Sequence, residues 1–239
     1  MYFRRSAKIG TLCLLHESLT VNEKIFDWAF AWSLLPKLLD ALIITVSATI
    51  LGMALAMALG LFWAVLRKSK QPVLHWTATT IVEFFRSTPL LVQVYFLFYV
   101  LPDAGLRLTP FQTGILALGI HYSAYLAEVY RAGIESVPKG QWEAARALNL
   151  SRSHTFKAII LPQALPPIIP ALGNYLIAMF KDTPMLSAIT VMELLQTAKI
   201  IGAETFRYTE PLTLVGILFL ILSLISAKMI RFTEQRYGY

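Results

Sequence analysis

The sequence has few charged residues and a single cysteine. Only 15% of its 239 residues are Asp, Glu, Lys or Arg, against roughly a quarter in an ordinary soluble domain. Disordered chains are poor in apolar residues, whereas 56% of this chain is apolar, so the composition excludes disorder. Cys13 has no second cysteine to pair with, which excludes a disulfide-stabilised scaffold.

The sequence also lacks the patterns of common catalytic and metal sites. Its four histidines, His16, His75, His121 and His154, show no His-Glu-x-x-His or other metal-ligand spacing. A Gly-x-Ser-x-Gly nucleophile motif is also missing. We therefore expect a non-catalytic chain without a metal, in which His121 is a buried hydrogen-bonding residue.

The net charge of +7 is compatible with two kinds of partner. A basic balance can indicate nucleic acid, but the high apolar content favours a lipid bilayer. In a membrane protein, Lys and Arg mark the cytoplasmic connections. We expect a bilayer as the partner and no nucleic acid.

Long uncharged stretches predict five membrane-spanning helices, since about 20 helical residues cross the hydrocarbon. Residues 41–66, 111–127 and 212–227 carry no charge, whereas segments 72–101 and 166–191 are apolar but interrupted by charges. The expected fold is an all-α, polytopic membrane protein. Its predicted spans are residues 39–66, 73–102, 111–132, 166–191 and 211–230.

The basic residues predict which ends of these spans face the cytoplasm. They concentrate after spans one, three and five, which places the N-terminus outside and the C-terminus inside. These residues are Arg67, Lys68, Lys70, Arg131, Lys139, Arg146, Arg152, Lys157, Lys228, Arg231 and Arg236.

The organisation predicted from these spans has three parts. Residues 1–35 form an N-terminal extracytoplasmic segment, 36–232 the transmembrane domain, and 233–239 a cytoplasmic tail. The apolar run from Ile9 to Leu15 weakly resembles a signal peptide but has no small-residue cleavage site.

Small residues recur every four positions in span one, which predicts a smooth stripe along one helix face. Such stripes let helix backbones approach closely in lipid, so we expect a packing seam rather than a substrate groove. The stripe consists of Ala48, Gly52, Ala56, Gly60 and Ala64.

The two interrupted spans contain the same seven-residue motif: Phe, a cation, any residue, Thr, Pro, a large apolar residue and Leu. It runs from Phe85 to Leu91 and again from Phe180 to Leu186. Proline breaks helices, and paired interruptions at equivalent places in a membrane protein indicate a translocation site. The predicted substrate pathway comprises Arg86, Thr88, Pro89, Lys181, Asp182, Thr183 and Pro184.

Further charges inside the spans are spaced for ion pairs. Glu83 precedes Arg86 by three residues, and Glu128 precedes Arg131 by three, so each pair shares a helix face. Charges within a bilayer face a cavity or a partner. For Glu83, Glu128 and Arg131, a structural ion pair and a pathway role both stay open.

The segment 134–165 between spans three and four predicts two short helices separated by a sharp turn. Gln141 to Leu148 favours helix, and Asn149 can adopt the left-handed conformation that ends one. Ser151 or Ser153 can cap a second helix, which we expect to end at Ile160 because a proline follows. The pair could present a knob to a cytoplasmic partner or lie on the lipid headgroups.

The same segment resembles the signature loop of permease subunits of bacterial binding-protein-dependent ABC importers. The matching parts are Glu-Ala-Ala at 143–145 and Ile-Ile-Leu-Pro at 159–162, with Asn149 where the family usually has Gly. Residues 85–93 and 123–137 resemble the polar-amino-acid group. Within that group, residues 26–41 and 173–208 resemble permeases of ectoine and hydroxyectoine importers.

This resemblance implies a type I ABC importer permease fold in a bacterial inner membrane. Its partners would be a second permease subunit, identical or paralogous, two ABC ATPase subunits and an extracytoplasmic solute-binding protein. The sequence contains no Gly-Lys dipeptide and hence no phosphate-binding loop, so ATP and Mg would bind the ATPase and this chain would hold no cofactor. The implied ATPase-coupling residues are Gly140, Glu143, Ala144, Ala145, Asn149, Ile159, Leu161 and Pro162.

The function implied is to form the translocation path for a polar amino acid or amino-acid-like compatible solute, with ectoine or hydroxyectoine as the expected substrate. A permease for another polar amino acid of the His, Glu, Gln or Arg type is the alternative. Two further alternatives are a secondary transporter and a non-transporting membrane scaffold.

Overall fold

A computed structural model describes residues 26–237, which are helical throughout apart from short connections and contain no strand. The predicted all-α class is thereby confirmed for these residues. The N-terminal run from Ile9 to Leu15 lies outside them. The helices are α1 (Trp28–Arg67), α2 (Pro72–Ser87), α3 (Leu90–Tyr95), α4 (Pro110–Glu135), α5 (Lys139–Ala147), α6 (Arg152–His154), α7 (Leu161–Asp182), α8 (Leu194–Thr205) and α9 (Thr209–Tyr237).

Four irregular helical turns join some of these helices. Helix α3 continues through a π-helical turn and a 3-10 turn, Phe96–Val100 and Leu101–Ala104. Another π-helical turn, Thr155–Ile160, joins α6 to α7, and a 3-10 turn, Thr183–Ile189, follows α7.

Helices α1 and α4 form the central pair of the bundle and run in the same direction. A Cβ atom on Gly52 would lie 3.1 Å from the Leu118 Cβ, and one on Gly60 would lie 2.9 Å from the Leu126 Cβ. The predicted packing seam is therefore confirmed, because the small residues of α1 are buried where α4 approaches most closely. The buried stripe is Ala48, Gly52, Ala56, Gly60 and Ala64.

Helix α1 is longer than the span predicted from residue 39. It begins at Trp28 because Asp27 caps it, its Oδ1 accepting hydrogen bonds from the backbone N–H groups of Ala29 and Phe30 at 3.0 and 3.3 Å. Pro36 lies inside the helix without ending it. The resulting 40-residue helix is about 60 Å long, more than the hydrocarbon needs.

Three helical stretches are long and apolar enough to span a membrane: Trp28–Arg67, Arg152–Ile189 and Thr209–Phe232. The bent pair Pro72–Ser87 and Leu90–Ala104 adds a fourth if it counts as one span. Together with α4, these correspond to the five predicted spans. Helix α4 is less apolar because it lies among α1, α2, α3 and α7 and faces protein more than lipid.

The second predicted span, residues 73–102, is not one kinked helix but two helices at 106°. The break falls at Thr88 and Pro89, which are both extended, with ψ angles of 139° and 136°. The proline ring disfavours the helical conformation for the residue before it. The consequence is a turn much sharper than a proline kink.

The prediction that a short helix ends at Ile160 is wrong. The segment from Arg152 continues through the π-helical turn into α7, so the helix that contains the fourth predicted span begins well before residue 166. Pro162 has no backbone N–H to continue the helical hydrogen bonds, and the π-helical turn Thr155–Ile160 comes directly before it. The wider π-helical turn therefore lets the chain pass through the proline as one helix.

Helix α7 runs opposite to α1 and α4. A Cβ on Gly133, near the end of α4, would meet Ile168 near the start of α7, and one on Gly114 would meet Leu186 beyond its end. Helix α9 lies beside α7, because a Cβ on Gly173 would meet Ile230. Phe180 of α7 also lies against Phe219 of α9, with ring centroids 5.1 Å apart, so α9 runs opposite to α7 and the directions of α4, α7 and α9 alternate.

The connection between the fourth and fifth predicted spans contains the 12-residue helix α8. The Glu193 carboxylate caps it by accepting from the backbone N–H groups of Leu195 and Gln196 at 2.9 and 2.6 Å. Its apolar face packs against α1 and α9. At the same end of the bundle, Glu210 accepts from the Asp27 N–H at 3.0 Å and tethers the start of α9 to that of α1.

Candidate functional site

The break between α2 and α3 is stabilised by the side chain of Gln93, which is 7% exposed. Its Nε2 group donates to the Phe85 carbonyl at 2.9 Å, and to the Thr88 carbonyl and hydroxyl oxygens at 3.1 and 2.7 Å. The Thr88 hydroxyl in turn donates to the Phe84 carbonyl at 2.9 Å. These bonds partner backbone oxygens that the broken helix leaves free.

The second copy of the repeated motif interrupts its helix in a different way. Helix α7 ends at Asp182, and Thr183 and Pro184 begin the 3-10 turn instead of an extended break. The Thr183 hydroxyl donates to the Phe180 carbonyl at 2.8 Å.

The segments that follow the two breaks meet in the bundle. Leu90 and Val94 of α3 belong to the same buried cluster as Leu186 and Ile189 of the 3-10 turn. The two halves of the sequence repeat are therefore brought together, although their local geometries differ.

A cluster of aromatic and polar side chains lies between the two breaks, largely on α4. The Tyr122 hydroxyl donates to the Asp182 carboxylate at 2.6 Å. The His121 Nδ1 lies 3.3 Å from the Gln93 Oε1, and the His121 ring centroid is 5.2 Å from that of Tyr125. His121 is buried and hydrogen-bonded, as predicted.

Sequence reasoning did not select the tyrosines of this cluster, Tyr122, Tyr125 and Tyr175. Their ring centroids lie 5.8 to 6.3 Å apart. Tyrosine is common at membrane interfaces, so its role here becomes visible only when Asp182, on another helix, is known to bind Tyr122. The available signal was the spacing of 122 and 125 on one face of an uncharged span.

Arg86 and Lys181, the two cations of the repeated motif, have different surroundings. The Arg86 Nη1 lies 3.2 Å from the Glu83 carboxylate and 3.3 Å from that of Glu128, and the guanidinium lies 5.8 Å from the Tyr125 ring centroid. Lys181 is exposed, and among residues 26–237 it makes no ion pair. Arg86 is thus held in place, whereas Lys181 is available to a ligand or a partner.

Glu128 is the centre of a larger ion network than its spacing predicted. Besides Arg86 and the predicted partner Arg131 at 2.8 Å, it accepts from Arg67 at 2.5 Å. Arg131 also pairs with Glu135 at 2.6 Å. Sequence reasoning missed both as partners, because Arg67 comes from another helix and Glu135 fell within the predicted loop 134–165, although it is the last residue of α4.

Arg131 and Glu135 of this network also affect the pKa of Lys68, the residue after α1. Partial burial lowers the pKa of its ammonium group, and Arg131 lowers it further, while Glu135 raises it. Three basic side chains therefore lie close together where α1 ends, with Glu128 and Glu135 as counter-charges. They are Arg67, Lys68 and Arg131.

The candidate coupling loop projects helix α5 and a left-handed turn from one end of the bundle. Asn149 has a φ of 54°, as predicted for the residue that ends the helix. Its N–H donates to the Arg146 carbonyl at 2.9 Å, and that of Leu150 donates to the Ala145 carbonyl at 3.0 Å, the pattern of a Schellman motif. The Ser151 hydroxyl accepts from the His154 N–H at 3.3 Å and caps the next helix.

The residues of this loop divide into exposed and buried ones. Gly140, Glu143 and Ala144 are exposed, whereas Ala145 is 1% exposed and packs inside the chain. Of the two alanines, only Ala144 is therefore free to contact a partner. Ile159 and Leu161 are half-buried where the loop rejoins the bundle, and Pro162 is exposed there.

Leu148 is a further candidate contact residue that sequence reasoning missed. It is 72% exposed beside Asn149 at the tip of the loop. A groove of 650 Å³ lies next to it and is lined by Trp142, Arg146, Arg152 and Phe156 among others. An apolar tip flanked by two arginines suits a protein partner with an apolar recess and acidic rim.

No group of three or more His, Cys, Asp or Glu side chains lies close enough to hold a metal ion within the part of the chain that the structure describes.

Residues 56–239 match the family described as binding-protein-dependent transport system inner membrane component. This stretch includes every candidate pathway and coupling residue. The chain belongs to that family. It is therefore an inner-membrane permease, and the helical bundle is the type I ABC importer permease fold.

Curated relatives agree with this assignment. The chain is 50% identical over 175 residues to the probable amino-acid ABC transporter permease protein y4tG of Sinorhizobium fredii, covering 73% of this chain and 76% of that protein. It is 37% identical over 177 residues to the probable glutamine ABC transporter permease protein GlnM of Bacillus subtilis, covering 74% and 82%.

Solved structures show the same fold. The crystal structure of an amino acid ABC transporter with histidines covers 88% of this chain and 99% of its own, with 34% identity and a TM-score of 0.84. The inward-facing MetNI methionine ABC transporter matches with 21% identity and a TM-score of 0.62 over 87% of this chain and 99% of its own. At that identity, the second likeness concerns the fold alone.

Proposed function

We propose that this permease forms the membrane path of an ATP-driven importer for a zwitterionic solute of the amino-acid class. The observation that carries the proposal is the placement of Arg86 and Asp182 on either side of the tyrosine cluster. Arg86 lies over Tyr125, Asp182 binds Tyr122, and the two tyrosine rings are 6.2 Å apart. A zwitterion offers a carboxylate to the cation and an ammonium or amidinium group to the anion.

The substrate class is supported by relatives named as permeases for amino acids, glutamine and L-cystine. Within that class we retain ectoine or hydroxyectoine as the specific hypothesis, because it comes from the resemblance of residues 26–41 and 173–208. Another polar amino acid suits the same pair of charges equally well. Lys181, which is exposed one residue before Asp182, gives either substrate a second carboxylate contact.

We assign ATP hydrolysis to a separate pair of ABC ATPase subunits, which would hold ATP and Mg. They would dock on the loop 134–165, with Glu143 and Ala144 as surface contacts and Leu148 as an apolar anchor. The remaining partners are a second permease subunit, identical or paralogous, and an extracytoplasmic solute-binding protein. In this arrangement the N-terminus is outside and the C-terminus is in the cytoplasm.

The test is uptake by the assembled importer, reconstituted in proteoliposomes with its ATPase and solute-binding protein. Arg86→Gln and Lys181→Gln each remove a cation, and a charge-assisted hydrogen bond contributes about 1.5–3 kcal/mol. At 1.4 kcal/mol per tenfold, we expect transport to fall by about tenfold or more for each. Lys199→Gln, on an exposed position of α8, is the matched control and should transport normally.

Substrate choice is read from competition between labelled ectoine and unlabelled amino acids in the same vesicles. Normal ATP-driven uptake by both Arg86→Gln and Lys181→Gln would refute the pathway assignment. Uptake by the permease without ATPase would favour a secondary transporter. Absence of any uptake by the wild-type assembly would favour a non-transporting scaffold.

A further inference from the structure

We propose that Glu128 is a positioning residue that competes with the substrate carboxylate for Arg86 and so holds the empty permease in its resting arrangement. The inference rests on the proposed function, because it requires that Arg86 meets an anionic group of the substrate. It adds a second task to a carboxylate that could otherwise be read as part of a static ion pair.

Glu128 lies where three helices meet. Its carboxylate contacts Arg67, the last residue of α1, Arg86, near the end of α2, and Arg131 on its own helix α4. One side chain therefore connects the ends of α1 and α2 to α4. The α2 contact lies directly before the sharp break at Thr88 and Pro89, which leads into α3.

The positive and negative charges of this network balance. The network contains three arginines and three carboxylates, those of Glu83, Glu128 and Glu135. Glu128 and Arg67 are largely shielded, with side chains 21% and 15% exposed. Arg86 is more open, with its side chain 35% exposed, and it contacts Glu83 as well as Glu128. It can therefore exchange Glu128 for another anion and still remain paired. A substrate carboxylate is such an anion.

Arg86 connects the ion network to the tyrosine cluster. Arg86 faces Glu128 on one side and the Tyr125 ring on the other, and its carbonyl accepts from the Tyr125 hydroxyl at 3.4 Å. Tyr125 leads to Tyr122 and Asp182.

These contacts make Arg86 a residue shared by two competing anions. When a substrate carboxylate takes the guanidinium, Glu128 loses one of its three cations, and the connection between α2 and α1 weakens. Ligand binding and the resting arrangement are then linked, and linkage of this kind typically changes an equilibrium by about 5- to 150-fold.

The experiment measures ATPase activity of the full importer in nanodiscs, with and without substrate-loaded binding protein. Glu128→Gln removes the competing charge, so we expect resting ATPase activity to rise by about fivefold or more. Stimulation by the loaded binding protein should shrink by a similar factor. Glu128→Asp keeps the charge and should restore most of the stimulation.

Glu135→Gln is the matched control. It removes a carboxylate from the same helix and from the same Arg131, but one that contacts neither Arg86 nor Arg67. We expect wild-type resting activity and stimulation. If Glu128→Gln does not assemble, the double variant Arg67→Gln with Glu128→Gln is used. It leaves two balanced pairs, Arg86 with Glu83 and Arg131 with Glu135.

The results separate the inference from the proposed function. If the wild-type importer transports and Glu128→Gln, or the double variant in its place, keeps wild-type resting activity and stimulation, Glu128 is only structural and the inference fails. The same holds if Glu135→Gln changes both quantities as Glu128→Gln does. If the wild-type assembly shows no ATP-driven uptake, the proposed function itself fails.

Discussion

Single polar side chains have large effects inside this apolar bundle because little water is available to replace their hydrogen bonds. Gln93 is the clearest case. Its amide group partners three oxygens around the break before α3, while its Oε1 faces His121 of α4. One residue thus connects the broken segment to the central helix.

Replacing Gln93 by leucine should therefore destabilise the bend more than the loss of one amide group suggests. The Phe85 and Thr88 carbonyls would lose their partner, and an unsatisfied buried polar group costs about 1–3 kcal/mol. We expect a lower melting temperature in detergent and reduced uptake. The control is Gln163→Leu, at an exposed position where the amide donates to the Ile159 carbonyl. Equal melting temperatures for the two variants would contradict this explanation of the bend.

At the scale of helices, the bundle depends on a seam of small residues between α1 and α4. A Cβ on Gly60 would lie 2.9 Å from the Leu126 Cβ and 3.0 Å from the Ser123 carbonyl oxygen. Backbone and Cβ atoms cannot rotate away, so the two helices would have to separate. This seam positions α4, and with it the tyrosine cluster and Glu128.

Gly60→Ala should for this reason destabilise the protein by about 1–3 kcal/mol, the usual cost of overpacking, although alanine is the better helix former. Gly216→Ala is the control, because a Cβ at that position of α9 would meet nothing within 4 Å. We expect the control to be neutral or slightly stabilising. Thermal unfolding of both variants in the same detergent checks the difference, and an unchanged melting temperature for Gly60→Ala would contradict the seam.

The sequence allowed the all-α class and the small-residue seam to be predicted because both depend on local composition. It did not reveal the 106° break, the π-helical turn before Pro162 or helix α8. A proline indicates where a helix is interrupted, but packing against other helices decides whether the chain bends, widens its turn or continues.

The residues of the candidate site were likewise predictable only in part. Arg86 and Asp182 were selected because charges and prolines are unusual within apolar spans. Tyr122 and Arg67 were missed, since each is ordinary in its own segment and gains a role only from a partner on another helix. Contacts between helices that are distant in sequence are not visible in a single sequence.

The whole molecule has two ends, and the alternating helix directions place every second connection at the same end. The starts of α1 and α9 are tethered at one end by Glu210 and the Asp27 N–H. The ends of α1 and α4, joined by Arg67 and Glu128, lie at the other, and the coupling loop follows there. The basic residues that predicted a cytoplasmic side are concentrated around this second end.

This distribution leads to a prediction about orientation that can be tested in intact cells. Cys13 is the only cysteine, so Cys13→Ser provides a background in which single new cysteines can be labelled. Phe206→Cys reports on the end tethered by Glu210, where Phe206 is 91% exposed between α8 and α9. Lys139→Cys reports on the end that carries the coupling loop, where Lys139 is also exposed.

A membrane-impermeant maleimide should label Phe206→Cys in intact cells and Lys139→Cys only after the membrane is permeabilised, because Lys and Arg are retained on the cytoplasmic side. Ala48→Cys, buried in the seam between α1 and α4, is the control and should react in neither condition. The reverse labelling pattern would place the coupling loop outside, where it could not meet an ATPase that uses cytoplasmic ATP. Such a result would contradict the proposed mechanism while leaving the fold unaffected.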